Sequence, residues 1–181
     1  MRVVSGKYKG RLLKGYNEKT TRPTTDKVKE ALFSIIRPHI NNSVCLDLFA
    51  GSGALGIEAL SNYSSYCYFV EKSNKMIKII ESNVSGIVDD NEYEIINMSY
   101  ERALEFFSNS KIKFDLVLLD PPYDKHYISN CLNKLINLDL LNEGSLVVCE
   151  YDDENFSSVH FDILKEKKYG NINIKVLKKK W

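Results

Sequence analysis

Four consecutive residues, Asp120-Pro121-Pro122-Tyr123, combine a carboxylate, a turn stiffened by two prolines and an aromatic ring. A proline fixes its own φ and donates no amide hydrogen, so a central strand that reaches the pair must stop and turn. On such a turn the Asp120 carboxylate and the Pro121 carbonyl become two acceptors at fixed positions. The exocyclic amine of a nucleobase is a poor nucleophile because its lone pair is delocalised into the ring. Acceptors that take its N–H hydrogens let the nitrogen rehybridise as it attacks an electrophile. Tyr123 can stack on a base drawn out of its helix, a contact worth roughly 1–3 kcal/mol. Alone, the tetrapeptide reads equally well as a surface turn. Its position after an apolar strand, about seventy residues beyond a glycine loop, favours a site.

That loop is Asp47-Leu-Phe-Ala-Gly51-Ser-Gly53-Ala-Leu-Gly56, a G-x-G-x-x-G pattern between a strand and a helix. Without side chains, Gly51 and Gly53 let a ligand lie against the backbone. Glu71 ends the following strand, where a carboxylate accepts both ribose hydroxyls of an adenosine. The glycines and Glu71 also fit NAD. Asp47 does not, because a carboxylate at the strand tip repels a pyrophosphate, whereas a cationic ligand with an amino group is welcome there.

The elements that position these groups alternate. Strands are expected at 44–48, 67–70, 93–96, 114–119 and 145–149, with helices at 54–61, 75–84, 101–107 and 128–138 between them. Two late runs, 161–164 and 172–177, suit an antiparallel hairpin. The expected fold is a doubly wound, Rossmann-like α/β sheet, seven-stranded and mostly parallel, with an antiparallel C-terminal hairpin. The first forty residues differ. A basic hairpin is expected from 2–5 and 11–14 around Gly6–Gly10, followed by a helix capped by Thr24 or Thr25. Val28, Ala31, Leu32, Ile35 and Ile36 form its apolar stripe, and Pro38 ends it. The chain is read as one domain, 1–181, with 1–40 a basic extension packed on it.

The net charge of +1 conceals an asymmetry: +7 over residues 1–40, −12 over 41–164 and +6 over 165–181. Basic ends on an acidic middle suggest a polyanion as partner, against the alternative of two solvated tails. Cys45, Cys67, Cys131 and Cys149 form no C-x-x-C pair and read as reduced core residues. His39, His126 and His160 lack ligand spacing, so no metal is expected. No apolar run reaches the roughly 20 residues of a membrane span, and no apolar leader opens the chain, so a cytoplasmic protein is expected.

The glycine loop resembles motif I of S-adenosylmethionine-dependent methyltransferases of the N2-guanine and N6-adenine subclasses, and Asp120-Pro-Pro-Tyr resembles the (D/N)PP(Y/F) motif of amino methyltransferases. With Arg2-Val-Val-Ser-Gly-Lys-Tyr-Lys-Gly-Arg and Thr21-Arg-Pro-Thr-Thr-Asp-Lys-Val-Lys-Glu-Ala-Leu-Phe, in that order, the chain resembles the RsmD family over nearly its whole length. The resemblance implies a class I methyltransferase that modifies N2 of one guanine, guanine-966, of 16S rRNA in an assembling or assembled 30S subunit. It implies S-adenosylmethionine as cofactor and a monomer. It assigns cofactor binding to Asp47, Phe49, Gly51, Gly53, Glu71 and Lys72, to Ser99 where an Asp or Asn is usual, and to Thr24 and Thr25. Asp120, Pro121, Pro122 and Tyr123 become catalytic. Lys7, Lys9, Arg11, Arg22, Lys178, Lys179 and Lys180 become RNA contacts. Glu150 fits the family pattern without an assigned role. The rivals are an adenine-N6 methyltransferase of DNA or RNA, a protein glutamine methyltransferase, a non-catalytic ribosome assembly factor and an NAD-dependent oxidoreductase. Few residues remain for a separate recognition domain, and both motifs are intact, which weighs against each.

Overall fold

Short apolar runs flanked by turns build the centre of a seven-stranded sheet in the computed structural model, which describes residues 1–15, 25–123, 126–153 and 155–181. The strands are β1 (Val44–Asp47), β2 (Tyr66–Glu71), β3 (Tyr93–Asn97), β4 (Phe114–Leu119), β5 (Leu141–Tyr151), β6 (Phe161–Tyr169) and β7 (Ile172–Lys179). Their order is β3-β2-β1-β4-β5-β7-β6. The first five are mutually parallel, while β7 runs antiparallel to β5 and to β6. Among the described residues five α-helices accompany them: α1 (Asp26–Ile36), α2 (Ala54–Ser61), α3 (Asn74–Val84), α4 (Tyr100–Asn109) and α5 (Tyr127–Asn137). This is the expected class I methyltransferase architecture.

Side chains alternate across the sheet and feed two cores. Cys45, Leu116, Leu118, Leu146 and Val148 face α1, α2 and α3. Leu46, Leu48, Val117, Leu119 and Val147 face α4 and α5. Strand order reverses between β1 and β4, and there the loops after the two strands diverge to leave a cleft at their C-terminal ends. The glycine loop and the tetrapeptide are those two loops.

Several strands exceed their expected bounds, β5 and β6 by the most. β5 begins at Leu141 because Leu141 pairs with Phe114 before a register shift, and Gly144 takes φ +72 to carry the strand through it. β6 continues to Tyr169 because β7 pairs with it to the turn. Its Lys165-Glu166-Lys167-Lys168 run shows no apolar alternation because both faces of this edge are exposed. Lysines on an edge strand also discourage pairing with another chain.

The N-terminal hairpin forms with few ladder bonds, an isolated bridge pairing Arg2 with Leu12. Its anchor is polar. Glu58 of α2, fully buried, accepts from the backbone N–H groups of Val4 and Ser5 and from the Ser5 hydroxyl. The Lys29 ammonium of α1, also fully buried, lies 3.5 Å from Glu58 and donates to the Arg2 carbonyl at 2.5 Å. The hairpin is thus tied to α1 and α2 through buried charge. All four cysteines are buried and none forms a disulfide. Among the described residues no group could hold a metal ion, and no helix is long and apolar enough to cross a membrane.

Candidate active site

Each glycine of the loop answers to a different constraint. Gly51 takes φ +55, and a Cβ built on it would enter open space, meeting only the Phe49 carbonyl at 4.0 Å. The loop therefore presents bare backbone to the cleft. Gly53 takes φ +80 at the N-cap of α2. Gly56 faces β2, where a Cβ would overlap the Phe69 ring and come within 2.8 Å of Cys67 Sγ, so its role is close helix-to-strand packing.

Asp47, at the tip of β1, is almost completely buried and its Oδ2 accepts from the Gly56 N–H at 2.9 Å. One oxygen thus caps α2 from below. Burial, offset by that bond and reinforced by Glu71, pushes its carboxyl up to about 7. Glu71, at the tip of β2, accepts from the Gly51 N–H at 3.0 Å and the Ser73 N–H at 2.8 Å, one bond on each oxygen. Both oxygens are fixed and each keeps a second lone pair for a diol. Lys72 is exposed beside it.

Asp120 directly follows β4, and Glu150 lies near the end of β5. The register Leu119↔Cys149 sets them side by side, and alternation puts both on the face of Leu118 and Val148, shared with Asp47. Burial first, then Glu150 and Asp47, drive the Asp120 carboxyl well above the usual range. Three carboxylates in one cleft favour a cation between them. Pro121 is buried and Pro122 exposed, so the prolines cross from core to surface. Tyr123 is half-buried and its phenol donates to Glu150 Oε1 at 3.4 Å. A cavity of about 420 Å³ opens here, lined by Pro121, Pro122, Tyr123, His126 and Glu150 among others. His126 holds φ +49, an uncommon conformation for a residue with a side chain, at the N-cap of α5.

Ser99 is the N-cap of α4, its hydroxyl accepting from the Arg102 N–H at 3.5 Å. Of the two threonines, Thr25 caps α1 through the Val28 N–H at 3.3 Å. Thr24 and Arg22 lie outside the described residues.

Most expected RNA contacts are far from this cleft. Lys7 Nζ sits 3.2 Å from the Glu92 carboxylate, beside the N-terminal end of β3. Lys178 pairs in register with Leu146, Lys179 Nζ donates to the Leu141 carbonyl at 3.0 Å, and Lys180 lies 3.5 Å from Asp162. All four are at the end of the sheet opposite Asp120. Lys9 and Arg11 are exposed along the hairpin. Lys165, Lys167 and Lys168, exposed on β6, lie toward the turn into β7, which the Asn173-to-Asp152 hydrogen bond holds beside the cavity.

Sequence reasoning missed two features. Phe49, Tyr100 and Tyr127 form a ring cluster with centroids 5.2–5.7 Å apart, walling the cleft on the α4 and α5 side. Burial lifts the Tyr100 phenol to about 12. Phe49 lies in the loop after β1 while Tyr100 and Tyr127 begin α4 and α5, so no local pattern announced the cluster. Asn83, buried in α3, bonds Lys14 through both its N–H and its carbonyl, and also bonds the Ser52 carbonyl. It ties the hairpin to the glycine loop and sits in an otherwise ordinary amphipathic helix.

A family model described as conserved hypothetical protein 95 matches residues 1–178. YlbH of Bacillus subtilis is 37% identical over 183 residues, 99% of this chain and 100% of its own. The Ribosomal RNA small subunit methyltransferase D of Haemophilus influenzae is 32% identical over 181 residues, 97% of this chain and 92% of its own. Among solved structures, yhhF of Escherichia coli superposes with a TM-score of 0.84 at 25% identity, covering 99% of this chain and 98% of its own.

Proposed function

From the premise that this chain belongs to the RsmD family, we propose that it is an S-adenosylmethionine-dependent methyltransferase acting on N2 of a guanine in 16S rRNA. The observation that carries the reading is that neighbouring strands set Asp120 beside Glu150, which with Pro121, Pro122 and Tyr123 lines a cavity. The cofactor fits the residues present. Gly51 leaves the room a Cβ would fill, Glu71 offers two fixed acceptors for a ribose diol, and the carboxylate row suits a sulfonium and an ammonium. When bound, S-adenosylmethionine supplies an electrophilic methyl group on positively charged sulfur.

The chain's own residues do the rest. Phe49 closes the cleft beside Tyr100 and Tyr127, an apolar wall that excludes water. Lys72 is an exposed cation at the Glu71 end, Ser99 retains its hydroxyl hydrogen for a donor role, and Thr24 and Thr25 stay candidates for the methionine end by resemblance. A cation in the cleft lowers the carboxyls of Asp47 and Asp120 again, leaving Asp120 ionised to accept an N–H. The Pro121 carbonyl accepts a hydrogen bond from the second N–H, Pro122 stiffens the turn, and Tyr123 stacks on the base; as the N–CH3 bond forms and the C–S bond breaks, the surplus proton on nitrogen passes to Asp120 or to water. The flanking RNA is held by exposed cations. Lys165, Lys167 and Lys168 suit the phosphates nearest the target, and Lys9 and Arg11 those along the hairpin. Lys7, Lys178, Lys179 and Lys180 suit only more distant ones, and Arg22 stays a candidate by resemblance.

The test is transfer of labelled methyl groups to small subunits from a strain lacking this enzyme, beside mature subunits. Nuclease digestion and mass spectrometry should give N2-methylguanosine from the first and no label from the second. Label in N6-methyladenosine, or in protein alone, overturns the proposal.

A further inference from the structure

Lys175 lies in the middle of β7, between β5 and β6, and is only 9% exposed. A buried ammonium costs free energy unless its surroundings hold the charge. Glu166, its partner in register on β6, places Oε1 3.2 Å from Nζ. The ring centroids of Phe156 and Tyr151 lie 4.4 and 5.4 Å from the same Nζ, inside the roughly 6 Å at which a cation is drawn to a ring face. Both rings are buried and meet edge to face, with centroids 4.9 Å apart. The Tyr151 phenol closes the cage by donating to Glu166 Oε1 at 2.7 Å. The cage therefore joins the end of β5, the segment after it, β6 and β7.

One side of this cage is the cavity beside the catalytic turn, which Tyr151, Asp152, Asp153 and Asn155 line together with Pro121, Pro122 and Tyr123. The described residues between β5 and β6 are neither strand nor helix, so side chains behind them must fix their place. Tyr151 and Phe156 are seated against Lys175, and Asn173, on the same face of β7, donates to the Asp152 carbonyl. The other side of the cage is the exposed run of β6, where Glu166 stands among Lys165, Lys167 and Lys168. We propose that Lys175 is a positioning residue for the target base: its ammonium, clasped by Glu166, Tyr151 and Phe156, fixes the Tyr151, Asp152 and Asp153 wall of the cavity relative to the basic strand that grips the RNA. The lysines of β6 set where the backbone lies, and the cage sets where the base comes to rest. Lys175 itself touches neither. A misplaced base costs rate rather than binding, up to about 100-fold for a displacement of about 1 Å.

This role rests on the reading of the protein as a methyltransferase of rRNA, and the wild type separates the two. Single-turnover methyl transfer to unmethylated small subunits gives a maximal rate and a half-saturating particle concentration. Lys175→Met keeps the stem and removes the charge, and Glu166, with 51% of its side chain exposed, stays solvated without its partner. The thermal midpoint should therefore stay within a few degrees of the wild type, and calorimetric affinity for S-adenosylhomocysteine should be unchanged. Its maximal rate should fall about 10-fold or more while the half-saturating concentration moves less than about 3-fold. Lys175→Arg, which restores a cation against the rings, should recover the rate to within about 3-fold. Glu166→Ala, on the exposed edge, should also lower the maximal rate, yet leave the half-saturating concentration unchanged or lower, because a negative charge leaves the lysine run. A wild-type maximal rate in Lys175→Met, a rise in its half-saturating concentration alone, or no recovery in Lys175→Arg overturns the role of Lys175. So does a loss of rate that tracks a fallen midpoint and weakened cofactor binding. A wild-type chain that transfers nothing to the particles overturns the functional reading itself.

Discussion

Replacing Lys29 with methionine should destabilise the protein by about 3–5 kcal/mol, the range for removing one partner from a buried ion pair. Lys29 and Glu58 are both fully buried, and methionine fills the volume of the lysine stem without its charge. Glu58 would keep its bonds from Val4, Ser5 and the Ser5 hydroxyl, but its negative charge would have no buried cation beside it. The Arg2 carbonyl would lose its ammonium donor. For a chain of this length the midpoint should fall by roughly 6–20 °C. Glu58→Gln keeps the acceptor for the hairpin and removes the charge, so Lys29→Met with Glu58→Gln should be more stable than the two single effects added together. Urea denaturation of the four proteins gives the coupling, and limited proteolysis should find residues 1–15 released first in Lys29→Met. A single substitution costing under about 1 kcal/mol, or strictly additive effects, would refute the claim that charge anchors the extension.

Asp47 gives a pH dependence with a definite sign. Its folded carboxyl is raised from 3.8 to about 7, so the stability that proton contributes is full below about pH 4 and lost as pH rises to about 7. Asp120 acts in the same direction, so the free protein should lose stability across that window, and Asp47→Asn should lose less of it in thermal melts. The affinity for S-adenosylmethionine, measured by calorimetry, should rise over the same window because a cation favours the ionised form; a flat profile would contradict the carboxylate row. Gly56→Ala drives a methyl into Phe69 and Cys67 and should cost about 1–3 kcal/mol in urea denaturation. Glu71→Ala removes two fixed acceptors and should weaken cofactor binding about 100-fold by calorimetry, each bond to a charged group being worth about 1.5–3 kcal/mol.

Much of the site was legible because it is local. The glycine loop, Glu71 and the tetrapeptide each follow an apolar run, and a parallel strand delivers whatever comes next to the same edge of the sheet. Strand ends were less legible where pairing, not composition, decides them, as in the β6 run from Lys165 to Lys168. Buried charge was invisible. Lys29 sits among the polar positions of an amphipathic pattern, and only its meeting with Glu58, across helices, takes it out of solvent. The lysines near the C-terminus show the converse. Their count suggested a polyanion contact, but the antiparallel return of β7 carries Lys178–Lys180 away from Asp120, while β6 brings Lys165–Lys168 back toward it. Charge totals carry no topology.

The central claim is that Asp120 activates the amine rather than holding the cofactor. Single-turnover methyl transfer by Asp120→Ala, paired with calorimetric binding of S-adenosylmethionine, tests it most directly. The account predicts transfer slowed by about 100-fold or more with cofactor affinity within a few-fold of the wild type. Loss of cofactor binding in step with transfer, or transfer near the wild-type rate, would contradict it.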